Sequence, residues 1–282
     1  MIPLKDENPT VRKPVLTFVI ILACVAAYFG PQEALSDQTE AVLFNLEYAA
    51  IPCEIKTGEP LSEAEIDATF NQGNTAACAD DATGTDTSQP FFPSKQVYLG
   101  LITSMFLHGS LMHLGGNMWF LWIFGNNIED RLGPVLFGAF YILGGVFATL
   151  AHYFVQTTST VPVVGASGAI AAIMGAYAVW FPNAPVRTIV FFMLRDISAK
   201  WFLGFWFITQ FFTGTNSGVA WMAHVGGFVF GAVVALIVRE TRFGEVKLNR
   251  SPEPLEWDYT GGAGRGPLPH VFERNRGDVS DF

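Results

Sequence analysis

Charge is scarce in this chain: 15% of its 282 residues are Asp, Glu, Lys or Arg, against about 25% in a soluble globular domain. Basic residues are the scarcer kind, 16 against 25 acidic, and the net charge of −9 offers no basic stripe to a phosphate backbone. A nucleic-acid binder is excluded on that ground. Cysteine is nearly absent, with three in all, and no internal repeat is present. What the chain does have is apolar surface. Half of its residues are hydrophobic, with 26 Phe and 7 Trp, which excludes a disordered protein and is too oily for an ordinary cytosolic enzyme.

The apolar residues are gathered into runs. Pro14–Gly30 is uncharged and opened by Arg12-Lys13, and further uncharged stretches cover roughly Leu99–Ile128, Leu132–Trp180 and Trp201–Val238. A bilayer core of about 30 Å needs about 20 helical residues to cross it, so these runs predict a multi-pass membrane protein. Turn residues divide the longer ones. Gly109-Ser110 separates a re-entrant or interfacial piece, Val97–Leu107, from a helix capped by Ser110 and reaching Asn126. Gly133-Pro134 starts a helix to about Phe154, ended by the polar Gln156–Thr160 stretch. A fourth span is expected over Gly165–Phe181, a surface segment over residues 186–200, a short fifth span over Trp201–Phe212, a turn over Gly214–Gly218, and a sixth span over Val219–Val238.

The fold class expected is therefore an all-α membrane protein, a bundle of six transmembrane helices with a large external first loop. Its parts are a cytoplasmic N-terminus (1–13), a first helix (14–30), an external acidic loop (31–96), a membrane core (97–240) and a flexible cytoplasmic tail (241–282). Six spans put both termini on one side. Segments 1–13, 126–132, 183–200 and 239–250 hold eleven Lys and Arg, whereas the opposite loops hold only Lys56 and Lys95. The positive-inside rule makes the first set cytoplasmic. The first run has no clear cleavage site and reads as a retained anchor, and the expected location is a plasma or bacterial inner membrane.

Residues 31–95 contain twelve Asp or Glu and two Lys, a net of −10 that leaves +1 for the rest of the chain. They read as a solvated insert rather than a specific cation site, with Ser62-Glu63-Ala64-Glu65 resembling a short helix start. Cys53 and Cys78 lie in it, either as a disulfide on an oxidising side or as two free thiols. Cys24 reads as a packing residue.

Polar groups inside spans are costly, and therefore functional candidates. The spans as drawn hold no Asp, Glu, Lys or Arg, but they carry His113, Asn117, His152, Ser167, Gln210 and His224, with His108 just outside. His113, Ser167 and His224 each stand within five residues of an outer helix end, which at about 1.5 Å per residue confines them to a layer about 8 Å deep. Asn117 shares a helical face with His113. A serine hydroxyl needs a base to become a nucleophile, and His224 is the base at matching depth. The free N–H groups at a helix start, with His113 and Asn117, suit an oxyanion. Each feature has a plainer reading: Gly168, Ala172 and Ala176, with Gly227 and Gly231, make small-residue packing faces, and His152 and Gln210 read as reaching the interface. The coincidence of serine, base and two donors at one depth favours catalysis.

In this pattern the chain resembles the rhomboid family of intramembrane serine proteases over about Thr103–Gly231. Phe106-Leu107-His108, His113-Leu114 and Asn117-Met118 are similar to its second-span motif, Gly125-xxx-Glu129-xxx-Gly133 to its cytoplasmic-end motif, Gly165-Ala166-Ser167-Gly168 to its nucleophile motif, and Ala223-His224-xx-Gly227-xxx-Gly231 to its last-span motif. The resemblance implies that Ser167 is the nucleophile, His224 the general base and acid, and His113 and Asn117 the oxyanion contributors. It implies substrates that are transmembrane helices with a small residue at the cut, a water-filled outer cavity, and lateral access near the fifth span and its following loop. Trp206, Phe211 and Phe212 there are gate candidates, with ordinary lipid-facing residues the slightly favoured reading. Many members carry an aromatic residue four after the serine; here it is Ala171, so something else must support His224. The first loop contains neither Trp nor Arg, unlike some members.

No cofactor or metal is expected. The partners expected are transmembrane substrates and the lipid bilayer, not nucleic acid. Other intramembrane proteases fit poorly, because the spans hold no Asp pair and the chain no His-Glu-x-x-His site. Two alternatives come from other classes. One is a non-catalytic rhomboid-like membrane binding protein or chaperone; the other is a haem or metal protein using His108, His113, His152 and His224.

Overall fold

A computed structural model describes residues 1–32, 38–78, 89–213 and 220–240. The turn expected at Gly214–Gly218 and the tail 241–282 lie outside the described residues. The chain begins with a strand, β1 (Ile2–Asp6), and then enters α1 (Val15–Ala27), which a wider helical turn over Tyr28–Gln32 prolongs. Three short helices follow: α2 (Gln38–Tyr48), α3 (Pro52–Thr57) and α4 (Glu63–Phe70). Next, α5 (Gly100–Thr103) lies between two tight turns in a bent segment, Val97–Phe106, that meets α6 (Leu111–Leu132) at 77°. The core is completed by α7 (Pro134–Val155), α8 (Ser167–Trp180), α9 (Ala199–Gln210) and α10 (Trp221–Glu240).

The sequence punctuation acts as expected at several ends. Ser110 caps α6 by accepting the His113 N–H, and Pro134 opens α7 immediately after Gly133. Three helical stretches are long and apolar enough to cross a bilayer, or four if the bent segment and α6 form one span; α8 is shorter and apolar. The protein is thus a mostly helical membrane protein. The innermost element is α8, buried along nearly its whole length among α6, α7 and α10. Its small residues let α10 pass backbone against backbone, and a Cβ on Gly231 would overlap the carbonyl oxygen of Ala172.

Two expectations fail at the end of the bundle that carries β1, the inner end in the topology expected from the sequence, with the outer end opposite. The first is the all-α class. Residues 185–198 are not a plain surface segment but a hairpin, β2 (Pro185–Val190) and β3 (Met193–Ser198), and β1 pairs antiparallel with β2 to give a three-stranded sheet. Its two-residue turn, Phe191-Phe192, has positive φ at both positions (45° and 67°). Such turns favour Asn-Gly, and two aromatics there hide the hairpin from a sequence reading. The second is the end of α6, which continues past Asn126 through Glu129 and Asp130. Glu129 is buried because it accepts the backbone N–H groups of Leu16 and Thr17 (2.8 and 2.7 Å) and the Thr17 hydroxyl (2.7 Å), satisfying orphan donors at the start of α1. Asp130 does the same for Val11 and Arg12.

The acidic insert is also more than a solvated loop. Leu46, Ile51, Cys53 and Leu61 form a small core of their own, Cys53 and Cys78 are joined by a disulfide, and Ser62 and Glu65 make a reciprocal cap at the start of α4. Lys95, one of only two cations there, is buried against Glu54 (2.5 Å) and the Leu46 carbonyl. Burial pushes the Lys95 ammonium down and the Glu54 carboxyl up, and their mutual attraction opposes both shifts. This unit grips the loop before α8: Val163 donates to the Ala50 carbonyl (2.8 Å), Cys53 to that of Ser159 (2.9 Å), and the Thr69 and Thr160 hydroxyls meet at 2.6 Å.

Candidate active site

Ser167 is the first residue of α8, so the backbone N–H groups at the start of that helix have no intrahelical partner. The chain reaches it through a tightly held loop. The Ser104 carbonyl accepts the Gly165 N–H (2.9 Å), while the Ser104 hydroxyl accepts the Ala50 N–H (2.7 Å) from the acidic unit. Gly165 sits at φ +119°, and a Cβ there would stand 2.7 Å from the His113 ring. Both the backbone angle and the space demand glycine.

Against that glycine lie the two residues expected to bind an oxyanion. His113 and Asn117 are one turn apart on α6 and both face Gly165. Asn117 is 7% exposed, and its Nδ2 has no hydrogen-bond partner among the described residues. A buried amide donor left unpaired is expensive unless something transient uses it.

Helix α10 supplies His224. A Cβ on Gly227 would overlap the Gly168 carbonyl oxygen, so the closeness of α8 and α10 is what sets the histidine beside the serine. His224 Nε2 lies 2.8 Å from Ser167 Oγ, and Nδ1 lies 2.8 Å from Gln210 Oε1 on α9. The Trp206 ring, one turn before Gln210, stands 5.9 Å from that of His224. These contacts answer the question raised by Ala171. Position 171 is fully buried under α10, 3.3 Å from where a Cβ on Gly227 would be, so α9 and not α8 supplies the aromatic face.

The four expected residues therefore converge. Ser167, His224, His113 and Asn117, with Gly165 and Trp206, line one cavity of about 560 Å³. Trp206 is thus placed at the histidine, whereas Phe211 and Phe212 are exposed on the bundle's outside. Gln210 is 7% exposed rather than reaching the interface, and its contact with His224 sets this last residue of α9 at the level of Ser167. His152 is likewise buried (6%) rather than interfacial. His108 is buried with its ring 5.3 Å from that of His113. The outer histidines do not gather as ligands. Among the described residues, the only group of three His, Cys, Asp or Glu close enough to share an ion is Cys53, Glu65 and Cys78, two of them disulfide-bonded.

Comparison with known proteins places the chain in a family. The Rhomboid domain model matches residues 95–241, just over half of the chain. Presenilin-associated rhomboid-like protein A, mitochondrial, of Danio rerio is 30% identical over 179 residues, 60% of this chain and 43% of the relative. The human presenilin-associated rhomboid-like protein, mitochondrial, is 32% identical over 155 residues (51% and 38%). Rhomboid protein 1, mitochondrial, of Saccharomyces cerevisiae is 33% identical over 97 residues (33% and 28%). The chain spans less than half the length of these relatives. From the matched domain, which takes in the whole cavity, the conclusion follows that this chain belongs to the rhomboid family.

Proposed function

We propose that this protein is an intramembrane serine endopeptidase that cleaves transmembrane substrates through a Ser167–His224 dyad. The observation that carries the reading is the 2.8 Å contact between Ser167 Oγ and His224 Nε2 inside a cavity that also holds the unpaired Asn117 amide. In the first step Ser167 Oγ attacks the scissile carbonyl carbon while its proton passes to His224 Nε2. The negative charge that develops on the carbonyl oxygen is met by Asn117 Nδ2, His113 and the backbone N–H groups at the start of α8. Collapse breaks the C–N bond, and His224 returns its proton to the leaving amine. A water then gives a proton to His224 and its hydroxyl to the acyl carbon; the bond from that carbon to Ser167 Oγ breaks, and His224 returns the proton to Oγ, releasing the acid and restoring both residues.

A substrate helix must expose its backbone to reach these groups, since a helix satisfies its own amides. The tight Gly165 loop and the small residues around Ser167 leave room for such an extended segment, and suit a small side chain at the cut. We further propose six spans, with both termini on the side that carries the Lys- and Arg-rich segments. The pairing of β1 with β2 supports this by joining two of those segments at one end. The disulfide suits an oxidising outer side. The relatives are mitochondrial by name, which favours a mitochondrial-type membrane over the plasma or bacterial inner membrane expected from composition.

The test is a panel of single-span substrates incubated in proteoliposomes with wild-type and Ser167→Ala protein. Cleavage and fluorophosphonate labelling by the wild type alone are expected; cleavage that survives the substitution would falsify the dyad. Capture of these substrates without cleavage by either protein would favour the non-catalytic binding reading.

A further inference from the structure

Gln210 sits on the far side of His224 from the serine, and the proposed dyad does not use it. The position is unusual for a glutamine: the last residue of α9, buried in an apolar bundle and touching the histidine ring. Its two hydrogen-bonding ends are chemically different, so which end faces His224 decides the state of the ring. A carbonyl end accepts a proton from Nδ1, which leaves Nε2 as a lone pair directed at Ser167. An amide end donates to Nδ1, which forces the proton onto Nε2 and disables the base.

The surroundings choose between the two. Gln210 Nε2 lies 3.0 Å from the Trp206 carbonyl oxygen and 3.3 Å from Thr209 Oγ1. A backbone carbonyl can only accept, so the nitrogen must face Trp206. Thr209 Oγ1 spends its own proton on the same carbonyl (2.6 Å) and is left to accept from Gln210 as well. With both of its nitrogen contacts fixed as acceptors, Gln210 has only Oε1 to offer His224 Nδ1. Among the described residues, Oε1 and not an acidic side chain is the polar atom set against Nδ1.

From this chain of donors and acceptors we infer that Gln210 is a positioning residue: it holds His224 in the tautomer protonated at Nδ1, with Nε2 free to take the Ser167 proton. The inference rests on the dyad reading above. A neutral amide selects the tautomer and ring orientation but carries no charge to stabilise the imidazolium that forms during the reaction. Its effect is accordingly smaller than that of a buried aspartate in a charged triad. The Trp206 ring and the Gln210 amide come from adjacent turns of α9, so one helix supplies both the face and the edge that fix the histidine.

The test compares Gln210→Met, which keeps the length and removes the acceptor, with Gln210→Glu, which keeps an acceptor. In proteoliposomes Gln210→Met is expected to lower kcat about tenfold, equivalent to about 1.4 kcal/mol, with KM unchanged, and Gln210→Glu to recover most of the loss. An independent readout comes from the wild type: ¹⁵N and ¹³C NMR of labelled histidine should show His224 protonated at Nδ1. Unchanged kcat in Gln210→Met, while Ser167→Ala is inactive, overturns this inference and leaves the dyad standing; cleavage by Ser167→Ala overturns the dyad itself. Should Gln210→Met fail to fold, the wild-type spectrum still decides, since a proton on Nε2 is incompatible with the proposal.

Discussion

Two buried polar residues near opposite ends of α6, Glu129 and Asn117, are handled in opposite ways. At the inner end, both carboxylate oxygens of Glu129 are occupied, by two backbone N–H groups and a hydroxyl of α1. At the outer end, Asn117 Nδ2 is buried with no partner among the described residues, and Ser167, the proposed nucleophile, opens α8 with no side-chain cap from Ala166. Glu129 and Asn117 both stand on α6, yet one has its hydrogen bonds filled and the other keeps an open donor. A filled polar group holds helices together, and under the proposed function the open one is a donor for a substrate oxyanion.

The contrast is best broken at Glu129. Replacing it with Ala strands two backbone donors and a hydroxyl inside the bundle, each costing about 1–3 kcal/mol when unpaired. A loss of about 3–4 kcal/mol in stability is expected on that basis, read as a lower denaturation midpoint in detergent. Activity per folded molecule should be nearly unchanged. If Glu129→Ala is instead stable and inactive, the inner motif is functional and the distinction between the ends fails.

Asn117 gives the converse. Its Nδ2 has no partner to lose among the described residues, so Asn117→Ala should leave the unfolding midpoint within error of the wild type. Removal of one oxyanion donor typically lowers kcat about a hundredfold, about 2.7 kcal/mol. Single-turnover cleavage in proteoliposomes measures it. Unchanged kcat would mean that the orphan amide is a packing defect and not a binding group.

Much of the outer end was legible because the chemistry there violates its surroundings. A serine, an asparagine and two histidines in apolar runs stand out, and counting residues from each helix end puts Ser167, His113 and His224 at one level, with Asn117 on the face of His113. Local signals also held: Ser110 as a cap, Pro134 as a helix start, Ser62 with Glu65 as a capping box. The inner end was harder to read for the same physical reason. A charged residue near a helix end resembles ordinary surface, so Glu129 gave no sign that it was buried under α1 and α6 was ended early at Asn126. The sheet was hidden twice over. Its turn is Phe191-Phe192, whose side chains are almost fully exposed, and its first strand lies more than 170 residues away from its partner. Gln210 reads from the sequence as reaching the interface because a polar residue at a helix end has a harmless explanation, and only the neighbouring helix shows that the end is covered.

The smallest expected effect tests whether the inner end is closed at every pH. Asp6, in β1, places one carboxylate oxygen against both the Tyr177 hydroxyl (2.8 Å) and the Asn127 amide (2.5 Å), tying the strand to α8 and α6. Burial raises the Asp6 carboxyl from its ordinary value to about 6, and these two hydrogen bonds only partly offset the shift. The folded state therefore holds the proton more tightly than the unfolded chain does. That contribution to docking β1 is fully present below about pH 4, near the ordinary aspartate value, and is lost as the pH rises through 6. Hydrogen exchange across β1 should accordingly show its strongest protection at the acid end of this window and a decline toward neutrality. Asp6→Asn, which keeps the shape without a titrating proton, should flatten the profile. A profile that persists in Asp6→Asn would assign the pH dependence to another group, and one that runs the opposite way in the wild type would show that the carboxylate, not the acid, is the form this end of the bundle is built to hold.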